Sequence, residues 1–310
     1  MTPPLISLVV PVFNEEKNIE PLLDRILPIL KPLNYEVVFI DDGSQDKTVE
    51  VITQFAKKNP CIRLAGFTRN FSHQIALTCG YSLAKGDCII TIDADLQDAP
   101  EIIPEMIEKW KKGAKIVYAK RSERQVDSFF KRNTALIFYR FINLMSDTPI
   151  PEDVGDFRLL DREVVEFLNK LPEHSRFLRG LVAWGGYPAE YVYFKRAKRN
   201  AGQTHYTLSK MINFALEGLT SFSTKPLRMT IYLGFLVSLF SIIVVFEKVV
   251  QHYLFHSSDW VPGWPSLFFA VVFLGGIQLV TIGIIGEYIG KIYKETQQRP
   301  FYLIKTKVNI

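Results

Sequence analysis

The sequence predicts an α/β chain: a mostly parallel, doubly wound sheet first, then two membrane-spanning helices. Three observations carry this reading. Over roughly the first 200 residues, short apolar runs alternate with amphipathic stretches, an order that calls for parallel strands joined by crossover helices. Met229–Phe246 is eighteen residues without a charge, and Trp260–Gly286 is longer and also uncharged. The composition, 48% hydrophobic and 22% charged over 310 residues, gives a sizeable core and excludes wholesale disorder.

Each element follows from local pattern. LISLVVPVF (Leu5–Phe13) is a continuous apolar run, as in a strand buried on both faces. Glu15–Leu30 reads as a helix, closed by Lys31-Pro32. Tyr35–Asp42 is a second strand, and Asp46–Lys58 a helix capped by Ser44 or Asp46. Cys61–Phe67 is a third strand, and His73–Ala84 a helix ending at Lys85-Gly86. Asp87–Asp93 is a fourth strand, Pro100–Lys112 a helix and Ala114–Lys120 a fifth strand. Tyr206–Arg228 is amphipathic and is either a helical link lying along the membrane interface or an ordinary domain helix.

Eighteen helical residues reach about 27 Å, close to a hydrocarbon core of about 30 Å. Lys225 and Arg228 precede the first span, and Lys291, Lys294, Arg299, Lys305 and Lys307 follow the second. The connecting loop offers Lys248 against Glu247 and Asp259. The excess of cations outside the loop places both chain ends in the cytoplasm. Trp260 and Trp264 stand where an interfacial aromatic belt is expected. The organisation is then a cytoplasmic domain over 1–205, a juxtamembrane segment over 206–228, spans over 229–250 and 263–287, an outer loop over 251–262 and a cytoplasmic tail over 288–310.

A net charge of +5 suits phosphates or a membrane surface as partners; no nucleic-acid partner is expected. Three scattered cysteines argue against a disulfide framework or a zinc site. The first apolar stretch is short and lacks a basic n-region, so it reads as a strand and not a signal peptide.

The polar motifs fall at strand ends, where open α/β sheets bind ligands. Asn14-Glu15 follows strand one, Asp41-Asp42-Gly43-Ser44 strand two, Arg69-Asn70 strand three and Asp93-Ala94-Asp95 strand four. Asp93, Asp95 and Gln97 are hard oxygen ligands that suit Mg²⁺ or Mn²⁺ if the chain turns there. Such an ion completes its shell with water and substrate phosphates, so the expected partner is a diphosphate. Neither a P-loop nor a GxGxxG follows the first strand, which disfavours an ATPase or a dehydrogenase. Asp41 or Asp42 could instead accept hydrogen bonds from a base or a ribose. After strand five, Lys120, Arg121, Arg124, Lys131 and Arg132 form a basic stretch beside the Asp-x-Asp end, suited to phosphate oxygens.

PVFNEE, FIDDGSQDKT, RNFSHQIAL, TIDADLQDAPE, GDFRLLDR, AGQTHY and GEYIGKIYKE followed by RPFY together resemble the polyprenyl-phosphate hexosyltransferases of family 2 glycosyltransferases. The resemblance covers essentially the whole chain and implies a GT-A fold. It assigns metal and nucleotide-sugar diphosphate to Asp93, Asp95 and Gln97, and nucleoside contact to Asp41 and Asp42. Pro11, Phe13 and Glu15 line the base pocket, with Arg69 in the nucleotide-sugar site. Arg121, Arg124 and Arg132 take the lipid phosphate, and Arg199 the donor diphosphate. Asp156 in GDFRL corresponds to the residue often proposed as catalytic base; with Asp95 it makes up the catalytic pair. A monoalkyl phosphate is mostly ionised at pH 7, so Asp156 could instead orient acceptor or sugar hydroxyls.

The implied reaction is inverting transfer of a hexose, glucose from UDP-glucose, to undecaprenyl phosphate. Other donors (GDP-mannose, UDP-galactose, an amino-sugar nucleotide) and an inactive, membrane-anchored binding protein are the alternatives. AGQTHY departs from the commoner pattern, with His205 where a Lys often stands. No QxxRW is present, which argues against a processive polymer synthase. Related two-span enzymes imply a homo-oligomer.

Overall fold

The computed structural model describes residues 3–122, 151, 154–174, 176–195, 225–255 and 263–310. Arg124, Lys131, Arg132, Arg199, His205, Trp260, the amphipathic stretch up to residue 224 and most of the expected outer loop lie outside these residues, as does the side chain of Trp264.

Eight strands of the described residues form one sheet in the order β7-β5-β6-β4-β1-β2-β3-β8. They are β1 Leu5–Val12, β2 Asn34–Asp41, β3 Ile62–Phe67, β4 Cys88–Thr91, β5 Ile116–Arg121, β6 Val154–Asp161, β7 Ala189–Phe194 and β8 Ile304–Val308. The first five coincide closely with the expected strands. β1 pairs in parallel with β2 and β4, β2 with β3, and β5 with β7. β6 runs antiparallel between β4 and β5, and β8 antiparallel beside β3. The sheet is therefore a GT-A-like, mostly parallel one, with one reversed strand at its centre and another at its edge.

Alternation along the central strands explains why helices cover both faces. Leu8, Val10, Phe39 and Ile90 point to one side, where they meet Leu23 and Ile26 of α1 (Ile19–Leu30), Ile52 of α2 (Thr48–Lys58) and Met106 of α4 (Ile103–Lys111). Val9, Ile40, Ala65 and Ile89 point to the other. There they meet Leu77 of α3 (His73–Leu83), Val164 of α5 (Arg162–Lys170) and Leu181 of α6 (Leu178–Trp184).

α1 begins four residues later than the sequence suggests. Asn14 has φ 55°, and the Asn18 N–H closes a turn onto the Glu15 carbonyl at 2.8 Å. The Glu15 N–H is held by Thr48 Oγ1 at 2.9 Å, so residues 14–18 serve the loop and not the helix. Of the two residues expected to cap α2, Asp46 acts there, accepting from the Thr48 N–H at 3.0 Å. Ser44 Oγ instead accepts from the Asn14 N–H at 2.9 Å.

Two long helices follow, α7 (Lys225–Phe255) and α8 (Trp264–Thr296). Within α8, Phe273–Thr296 is the one stretch among the described residues long and apolar enough to cross a membrane. The apolar stretch found in α7, Leu227–Val237, is shorter. Leu279, Val280, Ile282 and Ile289 of α8 are exposed, as expected of a lipid-facing helix. The tail then turns back and becomes β8, a strand the sequence did not suggest.

Candidate active site

The chain builds β1, β2 and β3 outward in one direction and then places β4 on the other side of β1. This reversal is the switch point at which doubly wound sheets bind ligands. The loops leaving β1 and β4 flank it.

On the β1–β3 side the polar side chains hold the loops in place. Asp41, buried, accepts from the Ser44 N–H through both oxygens at 3.2 Å. Asp42, also buried, accepts from the Phe71 N–H at 2.6 Å and the Ser72 N–H at 3.1 Å. Burial raises the pKa of both carboxyls, and these hydrogen bonds oppose it. Gly43 has φ 79°, and a Cβ there would lie 2.5 Å from the Arg69 carbonyl carbon. Only glycine lets the β2 and β3 loops approach so closely. Arg69 stacks its guanidinium on the Phe71 ring at 4.0 Å. Pro11 is buried within β1 opposite Ile40, and Phe13 beyond it is exposed. Glu15 is half-buried, accepting from Asn18 Nδ2 at 2.5 Å.

After β4, Asp93, Asp95 and Gln97 are half-buried while Ala94, Leu96 and Asp98 are buried. The three expected ligands thus share the more open side of the segment. Leu96 has φ 61°, and the Gln97 N–H is drawn back to Asp95 Oδ1 at 3.1 Å, so the chain does turn here. Among the described residues no three His, Cys, Asp or Glu side chains converge as a complete metal cage. Two half-buried hard carboxylates still suit Mg²⁺ or Mn²⁺, which take few protein ligands and complete their shell with water and phosphate oxygens.

A dense charge cluster lies one strand further out. Asp156 on β6 is buried at 6% exposure. Its Oδ1 accepts from Arg158 Nη2 at 2.8 Å and Arg179 Nε at 3.2 Å. Its Oδ2 accepts from Arg179 Nη2 at 2.9 Å and lies 3.4 Å from His73 Nε2. The Thr91 hydroxyl donates to its main-chain carbonyl. His73 Nε2 is also 3.7 Å from Asp93 Oδ1, so the imidazole bridges the two carboxylates. Burial pushes the Asp156 pKa up, but Arg179, His73 and Arg158 outweigh it and hold the carboxyl well below its usual range. Burial disfavours the His73 cation, yet the hydrogen bond to Asp156 and the charge of Asp93 raise its pKa to about 9. The ring is 42% exposed, so water tempers both effects. Asp93 is raised by burial and by Asp156 and Asp95, with His73 opposing.

Arg121, at the end of β5, approaches Gly155 of β6, where a Cβ would lie 3.6 Å from its Nη2. Of the expected site residues, the structure brings Asp93 and Asp156 together through His73. Arg124, Arg132 and Arg199 lie outside the described residues. Sequence reasoning missed His73, Arg158 and Arg179. His73 opens the helix after β3, at a strand end. Arg158 stands two residues from Asp156 on one strand, hence on its face. Arg179 carries no such signal.

Asp93, Asp95 and Asp156 stand at the switch point of a GT-A-like sheet, the fold of enzymes that transfer sugars. The chain belongs to glycosyl transferase family 2, whose model matches residues 7–168, and it is a glycosyltransferase. It is 46% identical over 304 residues to a bactoprenol glucosyl transferase of Shigella phage SfV, covering 97% of this chain and 98% of that one. A prophage bactoprenol glucosyl transferase homolog of Escherichia coli is 46% identical over 302 residues, with 97% and 98% covered. A glycosyltransferase of Synechocystis is 44% identical over 301 residues, with 96% and 94% covered. Glucosyl-3-phosphoglycerate synthase from Mycobacterium tuberculosis, solved with Mn²⁺ and UDP-glucose, superposes with a TM-score of 0.45 at 20% identity, over 70% of this chain and 77% of that one. That likeness is too loose to bear on ligands.

Proposed function

We propose that the protein transfers glucose from UDP-glucose to a polyprenyl phosphate, undecaprenyl phosphate, at the cytoplasmic membrane face. The carrying observation is near-full-length identity of 46% to bactoprenol glucosyl transferases, joined to an intact Asp93-x-Asp95 at the switch point. The catalytic domain spans 1–205, α7 and α8 supply two spans, and both chain ends are cytoplasmic. The assembly is a homo-oligomer.

Asp93 and Asp95, with Gln97, would hold Mg²⁺ or Mn²⁺, and the bound ion would supply positive charge against the leaving diphosphate. The loops of Asp41, Asp42 and Arg69 hold the nucleoside end, with Pro11, Phe13 and Glu15 at the base; Arg199 holds the diphosphate. Arg121, Arg124 and Arg132 hold the acceptor phosphate. A phosphate oxygen of the lipid attacks the anomeric carbon and its bond to that carbon forms. The bond to the diphosphate oxygen breaks, UDP leaves with the bonding pair, and the configuration inverts. An already ionised monoester has no proton to give up, so no strong base is required.

The test is transfer of labelled sugar from a panel of nucleotide sugars to undecaprenyl phosphate, with Mg²⁺, with EDTA and with Asp95→Ala. Transfer from UDP-glucose, lost with EDTA and with the variant, supports the reading. Transfer from another donor refutes the choice of sugar, and no transfer from any donor refutes the activity.

A further inference from the structure

One imidazole nitrogen joins the two carboxylates of the site. His73 Nε2 lies 3.4 Å from Asp156 Oδ2 and 3.7 Å from Asp93 Oδ1. Asp156 is itself fixed by Arg158 at 2.8 Å and by Arg179 at 3.2 and 2.9 Å. The backbone around His73 is pinned as well. The Phe71 and Ser72 N–H groups donate to Asp42, and Gln74 Oε1 accepts from the Leu178 N–H at 3.1 Å. Ser72 has φ 96°, a conformation that costs energy in a non-glycine residue and is kept where surrounding contacts enforce it. The chain is thus bent at Ser72 to present His73 as the first residue of α3. Among the described residues no hydrogen bond or ion pair engages Nδ1, and the side chain is 42% exposed.

The order of the strands sets what meets this ring. Asp41 and Asp42 stand at the end of β2, Asp93 and Asp95 follow β4 on the other side of β1, and Asp156 stands on β6 beyond β4. A nucleotide sugar runs nucleoside, diphosphate, sugar in the same order. With its nucleoside at β2 and its diphosphate at Asp93 and Asp95, its sugar extends toward β6, where His73 stands between Asp93 and Asp156. With Nε2 donating to the carboxylates, Nδ1 accepts a hydrogen bond in the neutral ring and donates one in the cation. A sugar hydroxyl both donates and accepts, so it complements the ring in either form.

We infer that His73 is a specificity-determining residue: its Nδ1 hydrogen-bonds a hydroxyl of the transferred hexose, while Asp156 and Asp93 hold the ring through Nε2. The inference rests on the nucleotide-sugar reading above and assigns the sugar subsite within it.

Binding is measured without acceptor on the full-length protein in nanodiscs, at one fixed Mn²⁺ concentration. The probes are UDP, UDP-glucose and UDP-glucose deoxygenated at C2, C3, C4 or C6. In His73→Ala, UDP binds within about twofold of wild type, which certifies the fold and the Asp93 carboxylate. UDP-glucose binds on the order of tenfold more weakly, as for one lost hydrogen bond. One deoxygenated sugar binds wild type more weakly by the same order and loses nothing further in His73→Ala, the non-additivity that marks a direct pair. Two conservative variants separate sugar contact from support of the carboxylates. His73→Asn places an amide near the position of Nδ1 and recovers part of the UDP-glucose affinity; His73→Gln places one near Nε2 and does not. Equal weakening of UDP and UDP-glucose in His73→Ala overturns the inference, since the ring then serves only the carboxylates and their cation. So do additive losses for every deoxygenated sugar, unchanged UDP-glucose binding in His73→Ala, and full recovery in His73→Gln. Wild type that prefers another nucleotide sugar refutes the choice of glucose, and the same cycle on deoxygenated forms of that sugar decides His73. Wild type that binds no nucleotide sugar overturns both readings. Binding without transfer to the lipid refutes the activity and leaves the cycle decisive for His73.

Discussion

Tyr302 stacks on Phe67 at 5.1 Å with the rings 14° from parallel, although α7 and α8 lie between them in the chain. Its hydroxyl meets Ser82 Oγ at 2.9 Å. The next residue, Leu303, accepts from the Thr68 N–H at 3.0 Å, and β8 then pairs along β3. Further along, Asn309 Nδ2 donates to the Ala56 and Ile62 carbonyls at 2.9 and 2.8 Å. At the helix end, Glu295 accepts from the His174 N–H at 2.8 Å. The segment leaving α8 is thus a strap across the edge of the catalytic sheet.

Removing residues 302–310 should therefore destabilise the catalytic domain itself. It leaves the β3 edge unpaired, an open strand edge that invites aggregation. Tyr302→Ala alone should cost about 2–3 kcal/mol, from lost aromatic burial and a hydrogen bond. Thermal unfolding in detergent checks both. A truncated protein with wild-type Tm would show that the strap adds nothing.

Arg63 joins the same strap to the sheet interior. Its Nη1 contacts Glu36 Oε2 at 2.5 Å and the Leu83 carbonyl at 3.0 Å, and its Nε donates to the Asn309 carbonyl at 3.2 Å. Glu36 Oε1 accepts from Ser7 Oγ and the Lys85 N–H, each at 2.6 Å. All these groups sit at the strand ends opposite the active site. Arg63→Met strands a buried carboxylate and should cost about 3–5 kcal/mol. The Arg63→Met/Glu36→Met double variant should recover part of that loss. Denaturant unfolding of the three proteins measures it, and KM for the donor should not change in any that fold.

Much of this architecture was legible in the sequence because central parallel strands are apolar runs that end abruptly in polar residues. β1 through β5 and the placement of Asp41, Asp42 and Asp93 at their ends came from that contrast alone. β6 was not recognised as a strand, because Gly155, Asp156 and Arg158 interrupt its hydrophobic pattern. Two of those interruptions, Asp156 and Arg158, belong to the candidate site. β8 has only five residues with alternating Lys305, Thr306 and Lys307, the composition of a protected edge and not of a core strand. Arg179 was invisible because its partner is 23 residues away, on an element whose position only tertiary packing sets.

Gly43 gives a prediction that links loop geometry to donor binding. At φ 79°, with a Cβ falling 2.5 Å from Arg69 and 2.8 Å from the Asn70 nitrogen, alanine cannot enter unless the β2 and β3 loops separate. Backbone strain of this kind costs about 1–3 kcal/mol. The displacement moves Asp42 away from the Phe71 and Ser72 N–H groups. Gly43→Ala should therefore raise the donor KM on the order of tenfold while leaving the acceptor KM near wild type. Steady-state kinetics with each substrate varied in turn decides it; equal effects on both KM values would contradict a nucleoside-side role.

Asp161 contributes pH-dependent stability at a place remote from the donor site. It caps α5 by accepting from the Glu163 N–H at 3.0 Å, and it also accepts from Trp110 Nε1 at 2.7 Å and Lys115 Nζ at 3.1 Å. Burial raises its pKa, but the Trp110 bond, the Glu163 bond and Lys115 together lower it below the ordinary 3.8. A carboxyl whose pKa is lower folded than unfolded stabilises fully above the unfolded value. That stabilisation is lost as pH falls from about 4 through the folded value. Asp161→Asn keeps an acceptor for the cap but removes the charge. Its ΔG of unfolding should lie below wild type at pH 7, by on the order of 1 kcal/mol. The gap should close as pH falls below about 4, where protonation makes the wild-type side chain neutral as well. Urea unfolding of both proteins at a series of pH values tests this. A gap that stays constant into acid would show that the Asp161 charge contributes nothing and that only the hydrogen-bond geometry matters.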